Sequence, residues 1–404
     1  MPMSCWFFNP ESQRLLRAGL VLCAVFWAVA ACNDSSTTTI GGSAPLDAGE
    51  ADVRVVQNPR TCQVSRVSAG ATHTCAVLVD GQTFCWGAND EAQLGMGDLV
   101  LRALPVRVPL PKLALEVRAS FGSTCARTAD NQIYCWGRVA GGLPGTPGIS
   151  KPTLVPLPGN SSAVATGGDH ACAMLTDGRV FCWGRGGLVG DGTVVERLMP
   201  VVVEGLPLLG SSLVATSNHT CLRTAKGELL CWGDNTTGAL GVAPVLGGGL
   251  SPAAVAAFTV TPSSVAVGPG QTCIVTAGDA PGRVLCTPPL ATPERIGWGN
   301  NNLGITVGQS HVCTIDKDLK FRCAGANDQG QVGPDPRLLI PDDAPLEVLT
   351  DATFMSAGAA HTCAIRTDRS LWCWGRNTEG QLGIGTVLNT NTPTPVVFPS
   401  GCPL

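Results

Sequence analysis

Ala357-Gly358-Ala359-Ala360-His361-Thr362-Cys363-Ala364 runs through a turn into Cys373-Trp374-Gly375. Near the other end of the chain, Ala69-Gly70-Ala71-Thr72-His73-Thr74-Cys75-Ala76 runs in the same way into Cys85-Trp86-Gly87. The unit occurs seven times, with first cysteines at Cys75, Cys125, Cys172, Cys221, Cys273, Cys313 and Cys363, spaced by 50, 47, 49, 52, 40 and 50 residues. Self-similarity at such a period means repeated supersecondary units, and a period near fifty is that of one four-stranded blade. Within a unit the pattern is β. Cys75 to Val79 is one apolar run, Asp80-Gly81 a turn, and Thr83 to Trp86 a second run, the signature of a hairpin. The turn recurs as Asp177-Gly178, and in weaker form as Lys226-Gly227 and Asp130-Asn131. The sequence therefore predicts an all-β chain, a seven-bladed β-propeller of four-stranded antiparallel blades.

Six cysteine pairs have nine residues between them: Cys75/Cys85, Cys125/Cys135, Cys172/Cys182, Cys221/Cys231, Cys313/Cys323 and Cys363/Cys373. Folding that segment about a three-residue turn with glycine in the left-handed region sets the two cysteines opposite each other on one face. Opposed strand residues have Cα atoms ~4.5–5.5 Å apart, within reach of a disulfide. The seventh pair, Cys273/Cys286, has three more residues in its turn and keeps the same pairing. A disulfide in each blade is therefore expected. Of the 19 cysteines, fourteen form these pairs, Cys5, Cys23 and Cys32 lie near the start of the chain, and Cys62 and Cys402 remain at the two ends of the repeat region. A ring joins its first and last blades, so a Cys62–Cys402 bridge at the seam is expected. It would constrain the unfolded chain by ~5 kcal/mol, against ~2–3 kcal/mol for each hairpin bridge. None of the pairs has the Cys-x2-Cys spacing of a zinc site.

So many cysteines belong in an oxidising compartment, and the first residues supply a route to one. Arg14 and Arg17 precede an apolar run, Ala18 to Ala31, too short to span a bilayer comfortably and suited to a signal peptide. It ends in Val29-Ala30-Ala31-Cys32, similar to a bacterial lipobox, in which the cysteine is acylated and becomes the mature N-terminus. The alternatives are an ordinary cleaved signal and a retained anchor helix. The reading divides the chain into a lipoprotein signal peptide, 1–31, a Ser/Thr-rich acidic tether, 32–60, and a propeller, 61–404. The tether has no apolar periodicity and cannot offset its ordering entropy. The whole chain carries 26 basic and 30 acidic residues. Removing Arg14, Arg17 and Glu11 with the signal leaves 24 and 29, a net charge of −5. With no basic block, the electrostatic footprint of a nucleic-acid binder is missing.

At these residues the chain resembles the regulator of chromosome condensation repeat family. That pattern runs Gly-x-x-His-Thr-x-Ala, Asp-Gly, Trp-Gly, then Asn-x-x-Gly-Gln-Leu-Gly and a late Pro-x-x-Val strand. Here the last repeat reads Trp374-Gly375-Arg376-Asn377-Thr378-Glu379-Gly380-Gln381-Leu382-Gly383, then Pro395-Val396-Val397. The first reads Trp86-Gly87-Ala88-Asn89 to Gln93-Leu94-Gly95, then Pro105-Val106. The resemblance covers about 62–404 and implies a seven-bladed propeller. Blade 2 departs from it with Ser123 for His, blade 5 with Gln271 for His and Thr287-Pro288 after its second cysteine, and blade 6 with Ala324-Gly325 for Trp-Gly.

All five histidines, His73, His170, His219, His311 and His361, fill one repeat slot. They read as scaffold contacts fixing the hairpin or an adjacent turn, because catalysis needs a site that differs from its copies. The repeat tryptophans Trp86, Trp136, Trp183, Trp232 and Trp374 read as packing between blades. No phosphate loop, His-Glu-x-x-His motif or calcium loop is present, so no catalytic residue, cofactor or metal is assigned. The expected function is a non-catalytic binding scaffold at the bacterial cell envelope, outer membrane or cell surface favoured. It would be a monomeric propeller, held to the membrane by its lipid, gripping a protein or surface polymer. The resemblance extends to secreted bacterial propellers that cap β-lactamases, so inhibition of a partner is one version. The alternatives are a propeller-type lyase or hydrolase acting on an envelope polymer and, more remotely, nucleotide exchange on a small GTPase.

Overall fold

The computed structural model describes residues 62–138, 149–208, 210–244, 251–256, 258, 260–278, 281–287 and 298–399, the side chains of 251–256 excepted. The chain divides into two compact units, Met1–Val55 and Val56–Leu404, and every described residue belongs to the second. That unit consists of seven antiparallel sheets, each built from strands consecutive in sequence. Blade 1 comprises Val64–Ala69, His73–Leu78, Thr83–Gly87 and Arg102–Arg107, paired in that order. Blades 2, 3, 4 and 7 repeat this plan, spanning 114–154, 161–202, 210–256 and 352–395. The first strand of each blade packs beside the first strands of its neighbours, and blade 7 meets blade 1, which closes the ring.

Two blades differ from the uniform four-stranded plan. Blade 5 has three described strands, Pro262–Gly268, Gln271–Thr276 and Val284–Cys286. Blade 6 has five, because its outer strand is split into Leu339–Ile340 and Leu346–Leu349, both paired with Phe321–Ala326. The split follows from Pro341 and Pro345, which cannot donate to a ladder, with a turn closed by Ala344 N–H to Pro341 O at 3.1 Å. Elsewhere the outer strands carry Pro105, Pro152, Pro200, Pro252 and Pro393. Proline on an exposed edge removes a donor and blocks edge-to-edge pairing.

Every blade holds its own disulfide. In blades 1 to 4 these are Cys75–Cys85, Cys125–Cys135, Cys172–Cys182 and Cys221–Cys231. In blades 5 to 7 they are Cys273–Cys286, Cys313–Cys323 and Cys363–Cys373. Each pair is in direct cross-strand register. The Cα atoms lie 4.1 Å apart in all seven, a little closer than the spacing expected for opposed strand residues. The turn of blade 1 has three residues, with Leu78 N–H bonded to Gln82 O and Gly81 at φ +85°, so the local geometry expected from Asp-Gly is the geometry formed. In blades 6 and 7 the same left-handed position carries Leu319 and Arg369.

The core lies between blades. At the seam, Cys62, Val64, Phe84 and Trp86 of the first blade share one buried cluster with Ile365, Leu371 and Leu382 of the last. Val396 and Phe398 pack against that cluster from the C-terminal segment. Phe398 meets Phe84 and Trp86 edge-on, at 5.6 and 6.0 Å between centroids. Both ends of the described chain therefore pack at the junction of blades 7 and 1. Cys62 is itself disulfide-bonded. Cys402, its expected partner, lies outside the described residues, as do Cys32 and the boundaries drawn at 31/32 and 60/61.

Candidate binding face

The repeat positions come first, because what they do decides what is left for binding. Each described histidine is buried and reaches forward to the next blade. His73 Nε2 lies 2.8 Å from Thr124 Oγ1, His170 2.7 Å from Thr220, His219 2.9 Å from Thr272, and His311 2.9 Å from Thr362. His361 lies 2.8 Å from Thr74, which carries the series across the seam. Thr124, Thr272, Thr362 and Thr74 each donate their hydroxyl proton to a backbone carbonyl of the preceding blade, at 2.8 Å. The proton being committed, Nε2 must be the donor to Oγ1 at these four and carries a hydrogen. Burial lowers the pKa of His73, His219 and His361 to about 3, and of His170 and His311 to about 4. The hydrogen bond thus ties blade to blade and not hairpin to turn.

The partner slot explains the departures in blades 2 and 5. Where blade 2 has Ser123, the facing residue of blade 3 is Ala171; where blade 5 has Gln271, the facing residue of blade 6 is Val312. Histidine and threonine are present together at five junctions and absent together at two. This signal is readable in the sequence one residue after the histidine slot. At Gly70, Gly167, Gly308 and Gly358 a Cβ would run into the imidazole of the histidine three residues on, while blade 4 carries Thr216 at that slot before His219.

The tryptophans are likewise structural. Trp86, Trp136, Trp183, Trp232 and Trp374 are all buried. Trp136 donates to Gln93 O at 2.8 Å and Trp86 to Gln381 O at 2.9 Å, the same carbonyls that accept from the threonines. A Cβ at Gly383, which holds φ +70°, would come within 2.6 Å of the Trp86 indole, so Gly-Gln-Leu-Gly forms a seat for the next blade's tryptophan. Blade 5 replaces the donor: Thr287 Oγ1 bonds Ala239 O at 2.9 Å. Blade 6 has Ala324, and its cluster is filled instead by Trp298, fully buried beside it. The cysteines directly before this slot, Cys135, Cys182, Cys231 and Cys323 among them, are buried and oxidised, so they supply packing and no thiolate. Buried Asn89, Asn235, Asn327 and Asn377 each accept from the N–H five residues on, at 2.9–3.0 Å. Asp316 closes its own turn and pairs with Arg322 at 2.7 Å.

Two faces remain. One is formed by the turns between first and second strands and the long loops between third and fourth strands, joined by bonds such as Ala88 N–H to Thr72 O at 2.9 Å. The other carries the hairpin turns and the links between blades, as in Ala114 N–H to Gly81 O at 2.8 Å. On the first face, charges converge across blades 1 to 3. The Arg138 guanidinium is ion-paired and hydrogen-bonded to Asp169 and lies 3.7 Å from Glu91; Arg185 lies 3.7 Å from the other oxygen of Asp169. Asp169 stands where the other blades have Thr72, Gly122, Asn218, Gly270, Ser310 and Ala360. Sequence reasoning does not find this cluster, because its members come from four separate turns and loops.

The axial cavity is lined by the inner strands. Its hydroxyls close backbone gaps between blades: Ser68 accepts from Ala119 N–H, Ser356 from Ala69 N–H and Thr306 from Ala357 N–H, at 2.9, 2.9 and 3.0 Å. Arg118 occupies the same slot in blade 2 and pairs with Glu116 at 3.3 Å, which in turn holds Arg127 at 3.0 Å. No exposed histidine or group of metal-ligating side chains occurs among the described residues. No helix among them is long and apolar enough to cross a membrane.

Fold and site together define a disulfide-stapled seven-bladed propeller whose repeat polar groups serve its own junctions. The chain belongs to the RCC1-like domain family, whose model matches residues 54–402. No curated protein matches the chain significantly. Among solved structures it is similar to Prp20p of Saccharomyces cerevisiae, described with its binding to Gsp1p and histones, at 22% identity over 83% of this chain and 77% of that one, with a TM-score of 0.50. It is similar also to the ectodomain of the Arabidopsis thaliana receptor kinase ACR4, at 18% identity over 81% and 98%, with a TM-score of 0.51. A third is the ectodomain of the Physcomitrella patens receptor kinase CR4, at 16% over 78% and 74%, with a TM-score of 0.50. These likenesses show the fold. The seven disulfides fit an exported protein.

Proposed function

We propose that the protein is a non-catalytic binding scaffold displayed at the bacterial cell envelope, held by a lipid on Cys32 and a tether over 32–60. It grips a protein or surface polymer through the face that carries the long loops. The observation that supports this reading most is that the five histidines are spent on blade junctions, while Asp169, at a slot uncharged in every other blade, draws Arg138 and Arg185 together on one face with Glu91 beside Arg138. A propeller is a rigid frame for loops, and binding residues gather on loops positioned by such frames. Attachment to a partner enzyme as an inhibitor is one form the same face would serve. The seam bridge Cys62–Cys402 belongs to this proposal, as a lock for a ring exposed to the exterior.

Crosslinking and mass spectrometry on the native envelope protein test it. The expected result is an acylated Cys32 and saturable crosslinks from the long loops to one partner, reduced severalfold by Arg138→Glu, which sets a third acid beside Glu91 and Asp169. An unmodified Cys32, or crosslinks confined to the hairpin-turn face, would contradict it.

A further inference from the structure

We propose that the axial cavity is a binding site for a small organic monocarboxylate, entered from the hairpin-turn face and so separate from the long-loop surface. The cavity measures about 420 Å³, within the range of about 300–1,000 Å³ that small-ligand sites occupy. Its lining includes Leu303, which is exposed, and Leu319, which lies in the hairpin turn of blade 6. Its mouth is therefore on the face that carries those turns.

One slot shows that the wall is not uniform. The residue opposite the first cysteine lines the cavity in every blade. The backbone repeats there and the side chains do not. Blades 6, 7 and 1 carry the hydroxyls of Thr306, Ser356 and Ser68. Blade 2 carries Arg118, the one charged residue in the lining among those described. Blades 3, 4 and 5 carry Ala165, Val214 and Ala266. The polar groups thus fill one continuous arc of four blades, and small apolar groups fill the rest.

The polar arc is rich in unspent donors. The oxygens of Ser68, Thr306 and Ser356 accept from N–H groups of the next blade, and none of the three hydroxyl protons has an acceptor among the described residues. Arg118 directs Nη2 to Glu116 at 3.3 Å, while its Nε is buried with no partner. A guanidinium has five N–H donors, and a buried donor left unpaired costs stability. Glu116 is held more closely by Arg127, at 3.0 Å, so the three side chains together carry one net positive charge. The Arg66 guanidinium, 5.5 Å over the ring of Phe354 in the same lining, adds to the positive field.

These features select the ligand class. A carboxylate takes two parallel hydrogen bonds from a guanidinium and accepts further protons from the hydroxyls beside it. The arc of Ala165, Val214 and Ala266 has no partner for a second charge and suits a short apolar body. A bare inorganic anion would leave that arc and most of the volume unfilled.

The test is calorimetric titration of the full oxidised protein with hexanoate, with hexanol and hexylamine as its neutral and cationic counterparts. The expected result is saturable binding of hexanoate at one site, at least tenfold tighter than hexanol, and no binding of hexylamine. Arg118→Gln should weaken hexanoate about tenfold or more. Glu116→Gln, which releases Arg118 from its acid, should tighten it severalfold. A purely structural role for these two residues would not move the affinity in opposite directions. Where Arg118→Gln does not fold, Val214→Phe, which crowds the apolar arc, takes its place and should abolish binding. No saturable uptake of hexanoate, hexanol bound as tightly, or both substitutions shifting the affinity the same way overturns the proposal. None of these results bears on the partner proposed for the long-loop face.

Discussion

The junctions of blades 1–2 and 7–1 are closed by a histidine and a threonine, whereas those of blades 2–3 and 5–6 have neither. The two kinds differ in both partners at once. Had the histidines served a ligand, nothing would tie each of them to a threonine one repeat away. Because they serve each other, the loss of one frees the other to become alanine or valine. The comparison turns a ring of five histidines, which invites a metal or a general base, into a set of neutral links between sheets.

Acid should separate the two kinds of junction most strongly. The buried histidines have folded pKa values of about 3 to 4 against 6.5 when exposed. Between those limits the unfolded chain binds the extra protons. Stability is therefore full above pH 6.5 and falls with decreasing pH until the folded values are reached. Each histidine costs about 1.4 kcal/mol per pH unit in that window. Carboxylates with lowered pKa, such as Asp335 at about 2 against 3.8 when free, contribute only below about pH 4. Urea unfolding of the oxidised protein from pH 7 to 4.5 should show the fall, and each His→Asn variant should flatten it by about one proton.

Next in size is removal of a link. His361→Ala takes away a buried ring and its hydrogen bond at the seam, and should cost about 3 kcal/mol. Ser123→Ala, at a junction without the link, should cost less than about 1 kcal/mol. Building the missing link is a finer test: in a double-mutant cycle, Ser123→His and Ala171→Thr should couple favourably by about 1 kcal/mol, read from urea midpoints. The smallest effect belongs to the loops. Leu99→Ser and Leu338→Ser should leave stability within about 0.5 kcal/mol, which separates loop residues from frame residues by the same measurement.

The seven blades, the hairpin register and the seven disulfides were legible because each is fixed locally. A Cys-x9-Cys spacing around Asp80-Gly81 leaves one antiparallel register, and the period near fifty repeats it. The histidine contact was legible only as structural, because its partner lies about fifty residues away, in the next blade. The alternation of Thr124, Ala171, Thr220, Thr272 and Val312 after the histidine slot carried that information unread. Blade 6's split outer strand was foreshadowed by Pro341 and Pro345. The exchange of tryptophan between Ala324 and Trp298 was not, because it depends on a loop of one blade filling the core beside the next. The charges at Glu91, Arg138, Asp169 and Arg185 meet only once three blades are placed side by side, so no single stretch of sequence announces them.

Nitrogen-15 NMR of the histidine side chains tests the central claim most directly, that the repeat residues hold the frame and leave chemistry to the loops. All five imidazoles should be neutral and unchanged between pH 7 and pH 5 while the protein stays folded, with the proton on Nε2 at His73, His219, His311 and His361. A histidine that titrates near 6.5, or one of those four with its proton on Nδ1, would contradict the account and return that residue to the candidate functional groups.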